Sequence, residues 1–471
     1  MKNTTASNSR RNFIKNTVKG AAGTLAISAF PASAFPTIVP ASVIGKNAPS
    51  NRINIGAIGI GRISTTHDLP GVLKYDKSTV MAVCDLDSRR LKQGMDLVDG
   101  YYAKKSGKSY TGTKTYENYE DLIANKDIDA VVISTPDHWH VIPAMAAIRA
   151  GKDVYMQKPA SLTVSEGRML SNEVHKTGRI FQIGSQQRSM AQFKRACELV
   201  RNGRIGKVHT VYVGLPIDNP AECTVEKEMP VPSNLNYDKW LGSTPKIWYT
   251  EKRVHPQDGG YGRPGWLRCE QFGAGMITGW GVHHFDIVNW GLGYEYTGPV
   301  EITAKAEYPA KQFLWDVHGP YKNELTYADG VKVLASNEYP NGVKFVGSEG
   351  WIFVTRGNYS VTASDPVSNT KTKALEASDA KILTSVIGPD EIHLYESKDH
   401  HANWLDCVIS RQQPITPIEV GHRACSVCLI NHTAMKLGRK LNWDPMAERF
   451  IKDDEANKTL TRKQRAPYLV S

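Results

Sequence analysis

Ile53-Asn54-Ile55-Gly56-Ala57-Ile58-Gly59-Ile60-Gly61-Arg62-Ile63-Ser64 is the stretch on which the reading of this chain turns. A short apolar run suited to a buried strand breaks into Gly59-x-Gly61, with Ser64 where a third glycine would stand. Glycine in the first two places lets the backbone turn tightly and approach a pyrophosphate, which then rests on the N-terminus of the next helix. Alone, such a turn is a weak signal. Its weight comes from Val80-Met81-Ala82-Val83-Cys84-Asp85, a second apolar run ending in an acid about twenty residues further on. A carboxylate there bonds a ribose 2′-OH and repels a 2′-phosphate, so the pair of signals points to NAD, with NADP the lesser option because Arg89 and Arg90 lie close by. Ser64 predicts slightly looser packing of the helix that follows.

Working outward, strands are expected at Ile53–Ile58, Val80–Cys84, Ala130–Ser134 and Asp153–Met156. Helices are expected at Ser88–Val98, Asn118–Ala124 and Val141–Ala150, the last closed by Gly151. Short apolar strands separated by helices make a parallel, doubly wound α/β sheet, a Rossmann domain over residues 52–185. Beyond it the period changes. Val208–Val213, Ile302–Ala306, Lys322–Tyr327, Val331–Ala335, Lys344–Val346 and Trp351–Val354 alternate as half-buried strands do, and residues 186–471 read as a second, α+β domain. Its tail helices, near Ala402–Ile409 and Arg423–Lys436, are expected to pack back across the boundary.

The N-terminus decides the expected compartment. Ser9-Arg10-Arg11-Asn12-Phe13-Ile14-Lys15, the mildly apolar run Val18–Phe30 and then Ala32-Ser33-Ala34 follow the order of an export signal, in its twin-arginine form. We therefore expect a signal over 1–34, a Pro-containing linker over 35–51 and a periplasmic mature protein. The apolar run is too short and too rich in small residues to span a bilayer. Its removal takes away five cations and no acid, so the formal charge falls from +11 to +6, and neither a nucleic-acid nor a membrane partner is expected. Seven scattered cysteines do not make a disulfide framework, and Cys425-x-x-Cys428 lies inside an apolar periodic run that reads as a core helix.

Three further stretches resemble one family. Thr135-Pro136-Asp137-His138-Trp139-His140, Ala150-Gly151-Lys152-Asp153-Val154 and Lys158-Pro159 follow the glycine turn in the order found in the Gfo/Idh/MocA oxidoreductases. His401-Ala402-Asn403-Trp404-Leu405-Asp406-Cys407 and Gly421-His422-Arg423 resemble the C-terminal part of that family's exported bacterial branch, which is related to glucose-fructose oxidoreductase and to NAD-dependent glycosidases. The resemblance implies an open, mainly antiparallel second sheet lying against the nicotinamide, a carbohydrate substrate, and a homo-oligomer assembled through that sheet. It implies a cofactor site made of Gly59, Gly61, Arg62, Ile63, Asp85, Thr135, Pro136, His138, His140, Gln157 and Lys158.

Oxidising a secondary alcohol requires a base within hydrogen-bond reach of the hydroxyl. Lys158 is the first candidate, since a lysine beside a cationic nicotinamide gives up its proton more readily. In the family a glutamate usually precedes this lysine; here Gln157 does. His283, in Gly279-Trp280-Gly281-Val282-His283-His284-Phe285-Asp286, matches the histidine of the second motif, but Gly279 stands where an aspartate four residues earlier is expected. Asp286 at i+3 is the nearest carboxylate that could orient His283 instead. Trp280, His284 and Asp286 are expected at the substrate. Trp240, Trp248, Tyr249, Trp266 and Trp290 are suited either to stacking on sugar rings or to core packing. The scattered histidines lack ligand spacing, and no metal is expected. The readings that follow are an NAD-dependent sugar oxidoreductase with an internally recycled cofactor, an NAD-dependent glycoside hydrolase working by transient oxidation and elimination, or a non-catalytic sugar-binding protein.

Overall fold

The computed structural model describes residues 52–470 apart from 219–221, 223, 261 and 358–372; the expected signal and linker lie outside the described residues. Six parallel strands form the first sheet: β1 (Ile53–Ile58), β2 (Ser78–Cys84), β3 (Lys114–Tyr116), β4 (Ala130–Ile133), β5 (Asp153–Met156) and β6 (Phe181–Ile183). Their order is β3-β2-β1-β4-β5-β6. The strand order reverses between β1 and β4, the place where open α/β sheets bind ligands at the carboxyl ends of their strands. The apolar runs form the strands because helices cover both faces: every residue of β4 and β5 is buried. The helix expected over Ser88–Val98 continues to Ser106. Asp87 caps its start by accepting from Arg89 N–H and Arg90 N–H, and it stops at Gly107, whose φ of +68° suits a residue without a Cβ.

The second sheet is mainly antiparallel, with nine strands in the order β13-β12-β11-β7-β10-β9-β8-β14-β15. They are β7 (Val208–Gly214), β8 (Glu301–Ala306), β9 (Tyr321–Thr326), β10 (Lys332–Ser336), β11 (Gly342–Gly347), β12 (Gly350–Val354), β13 (Leu375–Ala377), β14 (Leu441–Asp444) and β15 (Arg449–Phe450). Among the described residues of this sheet, only β7 and β10 pair in parallel. Period-two patterning decides which face is covered: in β8, Ile302 and Ala304 are buried while Thr303 and Lys305 face solvent.

Two late helices return to the first sheet. In His400–Ser410, Trp404 and Leu405 are fully buried in the cluster built from Ile53, Ile55 and Val80. Ile418–Leu437 packs against the helices Val164–Thr177 and Gly281–Leu292 and against β8; Cys425 and Cys428 are buried thiols within it. Among the described residues, no helix is long and apolar enough to cross a membrane.

Candidate functional site

A cavity of about 750 Å³ lies at the carboxyl ends of β1, β2, β4 and β5. Gly59 opens it. With φ at +86°, a side chain at this position would be strained, and a Cβ would stand 2.8 Å from the Ser134 carbonyl carbon and the Thr135 nitrogen. Only glycine lets the two strand-end loops touch. At Gly61 a Cβ would meet nothing within 4 Å: the backbone borders open space of the kind a pyrophosphate fills. Asp85 is fixed by two backbone amides, its Oδ2 accepting from Ile60 N–H at 2.6 Å and its Oδ1 from Asp87 N–H at 2.9 Å. Burial pushes its carboxyl above the usual range, against those two bonds and the Arg90 charge. Arg89 is turned away, donating to the Gln257 carbonyl and to Asn234 Oδ1, whereas Arg90 lines the cavity. Gly94 lets Ile60 sit where a Cβ would be, so the glycine turn packs closely on the helix Ser88–Ser106. Gly59, Gly61, Arg62, Ile63, Asp85, Thr135 and Pro136 all border the cavity, and together they fit a nicotinamide dinucleotide.

The second group stands deeper. Lys158 Nζ donates to the Gly279 carbonyl at 2.7 Å, so the position that lacks the expected aspartate still offers an acceptor to this lysine. His283 lines the same cavity and is 5% exposed. Burial, then the charges of Arg356 and Lys158, hold its pKa well below the ordinary histidine value, so the imidazole is neutral at pH 7. Among the described residues its Nδ1 has no hydrogen-bond partner. The Trp280 ring borders the cavity beneath the Arg356 guanidinium, 4.6 Å from the ring centre.

Asp137 completes this group, a role the sequence reading did not give it. It is 4% exposed and lines the cavity; burial pushes its carboxyl up to about 7, against the pull of the Lys158 charge. A lone acid at a strand end, beside two histidines, was the available signal.

Several expected site residues do other work. Asp286 does not orient His283: it is fully buried and forms a two-bond ion pair with Arg188, Nε to Oδ2 and Nη2 to Oδ1, both at 2.8 Å. His284 is buried outside the cavity with Nε2 on Asn341 Oδ1 at 2.7 Å. Neither lines the cavity. His138 is likewise no cavity residue; its Nε2 faces the Trp240 carbonyl at 2.8 Å. His140 borders the cavity, but its ring nitrogens face the carbonyls of Pro159 at 2.6 Å and Thr135 at 2.9 Å, which ties the loops after β4 and β5 together. Gln157 borders the cavity as expected, and its Nε2 donates to both carboxylate oxygens of Asp68, at 2.8 and 3.0 Å. A glutamate there would set two carboxylates against each other. Of the five aromatics, Trp240 and Trp266 line the cavity, Tyr249 and Trp290 are core, and Trp248 is half-buried beneath the Arg253 guanidinium.

Comparison with known proteins agrees with this geometry. Residues 53–185 match the model of an oxidoreductase family with an NAD-binding Rossmann fold, and residues 221–382 and 386–470 match that family's C-terminal alpha/beta domain. A glycosyl hydrolase family 109 protein of Shewanella pealeana is 33% identical over 163 residues, which cover 33% of this chain and 35% of that protein. A myo-inositol 2-dehydrogenase of Thermotoga maritima is 29% identical over 161 residues, 34% of this chain and 44% of the relative. The matched segment thus spans less than half of either relative. Among solved structures, an aldose-aldose oxidoreductase from Caulobacter crescentus complexed with glycerol superposes with a TM-score of 0.55 at 21% identity, covering 83% of this chain and 99% of that one. The WlbA dehydrogenase from Bordetella pertussis, in complex with NADH and UDP-GlcNAcA, gives 0.58 at 16% identity, covering 84% and 98%. At these identities the structures share the fold alone. With family models matched on both sheets, the chain belongs to the Gfo/Idh/MocA oxidoreductases.

Proposed function

We propose that this protein oxidises a secondary hydroxyl of a carbohydrate, with NAD held in the cavity and recycled there rather than released. The observation that carries the reading is the convergence of Lys158, Asp137 and neutral His283 on the cavity that Gly59, Gly61 and Asp85 open. A bound nicotinamide supplies the hydride acceptor. The chain's own residues handle the proton. With Asp137 ionised, the Lys158–Asp137 pair can accept the hydroxyl proton, and the Gly279 carbonyl steadies the lysine as an ammonium. His283, uncharged, offers the substrate oxygen a hydrogen bond without adding a second positive charge.

NAD is favoured over NADP because Asp85 is fixed at the end of β2 and Arg89 is turned away. Exchanging Asp85 for alanine should cost about 1–3 kcal/mol of NAD affinity, the loss when a hydroxyl gives up a charged partner. Isothermal titration with NAD and NADP measures it; equal affinity of the unmodified protein for both would reverse the assignment.

Export by the twin-arginine route belongs to the proposal, since that route carries folded, cofactor-loaded proteins and a periplasm has no dependable pool of free NAD. Changing Arg10 and Arg11 to lysine should leave unprocessed precursor in the cytoplasm, as read by fractionation and blotting.

A second reading has one observation in its favour. Asp137, held up to about 7, is protonated often enough at neutral pH to donate to a leaving oxygen, as an NAD-dependent glycosidase requires after oxidation acidifies the neighbouring C–H. Purified protein incubated in D₂O with nitrophenyl glycosides and free sugars, without added nucleotide, separates the two. Aglycone release with deuterium on the carbon beside the oxidised one supports the glycosidase. A keto-sugar whose formation stops after one equivalent, until a carbonyl acceptor is added, supports the oxidoreductase. Binding without either product leaves a sugar-binding protein.

The pH profile is a further check. Oxidation needs ionised Asp137, so the rate should rise as pH increases through about 7, and Asp137→Asn should remove that limb. An unchanged profile in the variant would assign the limb to another group.

A further inference from the structure

Beneath the cavity floor lies a cluster that the hydride chemistry does not use. The chain leaves the glycine turn in one π-helical turn, Ser64–Asp68, which sets His67 and Asp68 side by side. The helix His400–Ser410 brings His401 against them from the far end of the sequence, 333 residues from Asp68. His67 Nδ1 and His401 Nε2 each stand 3.2 Å from the same oxygen, Asp68 Oδ1, and one donor atom from each of the three residues lies within 4.8 Å of the others.

Three details mark this as more than a buried ion pair. Gln157 Nε2 already donates to that oxygen at 2.8 Å, so two ring nitrogens crowd an acceptor with little capacity left. Their 3.2 Å separations stand at the long end for N–H···O bonds, and on these two His–Asp edges they match a tetrahedral site, where bonds of about 2.0–2.1 Å put neighbouring donors about 3.3 Å apart. The surroundings hold the donors in place. Ser134 Oγ donates to Asp68 Oδ2 at 2.7 Å, the Tyr155 ring lies 4.7 Å from the His401 ring, and Gly71 makes room for that imidazole, whose Nδ1 would stand 2.4 Å from a Cβ.

We propose that His67, Asp68 and His401 form a binding site for one divalent first-row transition ion of the zinc class. Two imidazoles and one carboxylate are a donor set for such ions and a poor one for magnesium or calcium. Asp68 and His401 are 0% and 4% exposed and walled in by protein, whereas the His67 side chain is 35% exposed and borders the cavity. The coordination position left over therefore opens toward the cofactor cavity. Gln157 fits the same picture: its amide orients Asp68 without competing for the ion, as a carboxylate there would.

The test uses untagged, full-length mature protein, stripped with a chelator and dialysed against Zn²⁺ or Co²⁺. One equivalent of zinc per chain should remain after gel filtration, and Co²⁺ should develop visible ligand-field bands. His67→Ala, at the cavity wall, should weaken binding at least tenfold while circular dichroism stays unchanged. His401→Gln, which keeps a donor to Asp68, should do the same. No stoichiometric binding by the folded protein, or binding undiminished in His67→Ala, overturns the site and marks any retained metal as an adventitious ion only. Both readouts are independent of turnover, so they stand apart from the oxidoreductase reading.

Discussion

Exchanging Lys158 for alanine should lower turnover by about 10²–10⁴-fold, the usual worth of a positioned acid or base, while bound NAD is retained. The retention is expected because Gly59, Gly61 and Asp85 open the cofactor end of the cavity, with Asp85 fixed by the Ile60 and Asp87 amides. Loss falls on kcat, because the proton is taken only as the hydride leaves. Lys158→Arg restores charge opposite the Gly279 carbonyl without a proton to give at neutral pH, so it should not restore the rate. Stopped-flow reduction of the bound cofactor isolates the step. A loss of less than about tenfold would mean that Asp137 or His283 takes the proton without the lysine.

Breaking the Arg188–Asp286 pair should be the most damaging single change to stability. Arg188→Met leaves a carboxylate at 0% exposure without its partner, a cost of about 3–5 kcal/mol. Trp290, whose ring lies 4.9 Å from the guanidinium, and Glu295, 3.9 Å from Nη1, lose the same cation. The double variant Arg188→Met with Asp286→Leu should recover most of the loss, because replacing a buried ion pair by apolar side chains of similar size is often near neutral. Urea unfolding of the two single variants and the double gives the coupling energy. If both single variants unfold at the wild-type midpoint, the pair is not the anchor of the helix Gly281–Leu292. That helix carries His283 into the cavity, so Arg188→Met should also lower the rate in protein that remains folded.

The first sheet was legible in the residues because its signals are local. Strands that are apolar throughout, glycine at a turn with positive φ and a cap such as Asp87 act within a few residues, and the second sheet's alternation is local too. The short strands β3 and β6, three residues each, carry too few side chains to show a period. The site was legible in part. Gly59, Gly61, Asp85, Lys158 and His283 announced themselves through motifs, and the structure gathers them around one cavity.

What the sequence determined by itself is therefore the class of fold and the type of cofactor, both encoded in spacing along the chain. The tertiary structure alone decided which charges meet. Helical geometry made Asp286 a fair partner for His283 three residues earlier, but Arg188, 98 residues away, reaches it with two hydrogen bonds in the buried interior. In the same way Gln157 answers to Asp68, and Asp68 to His401, across 89 and 333 residues. A buried charge must find a partner wherever the packed fold puts one, because desolvation costs more than any local preference returns. No period in the sequence records that choice.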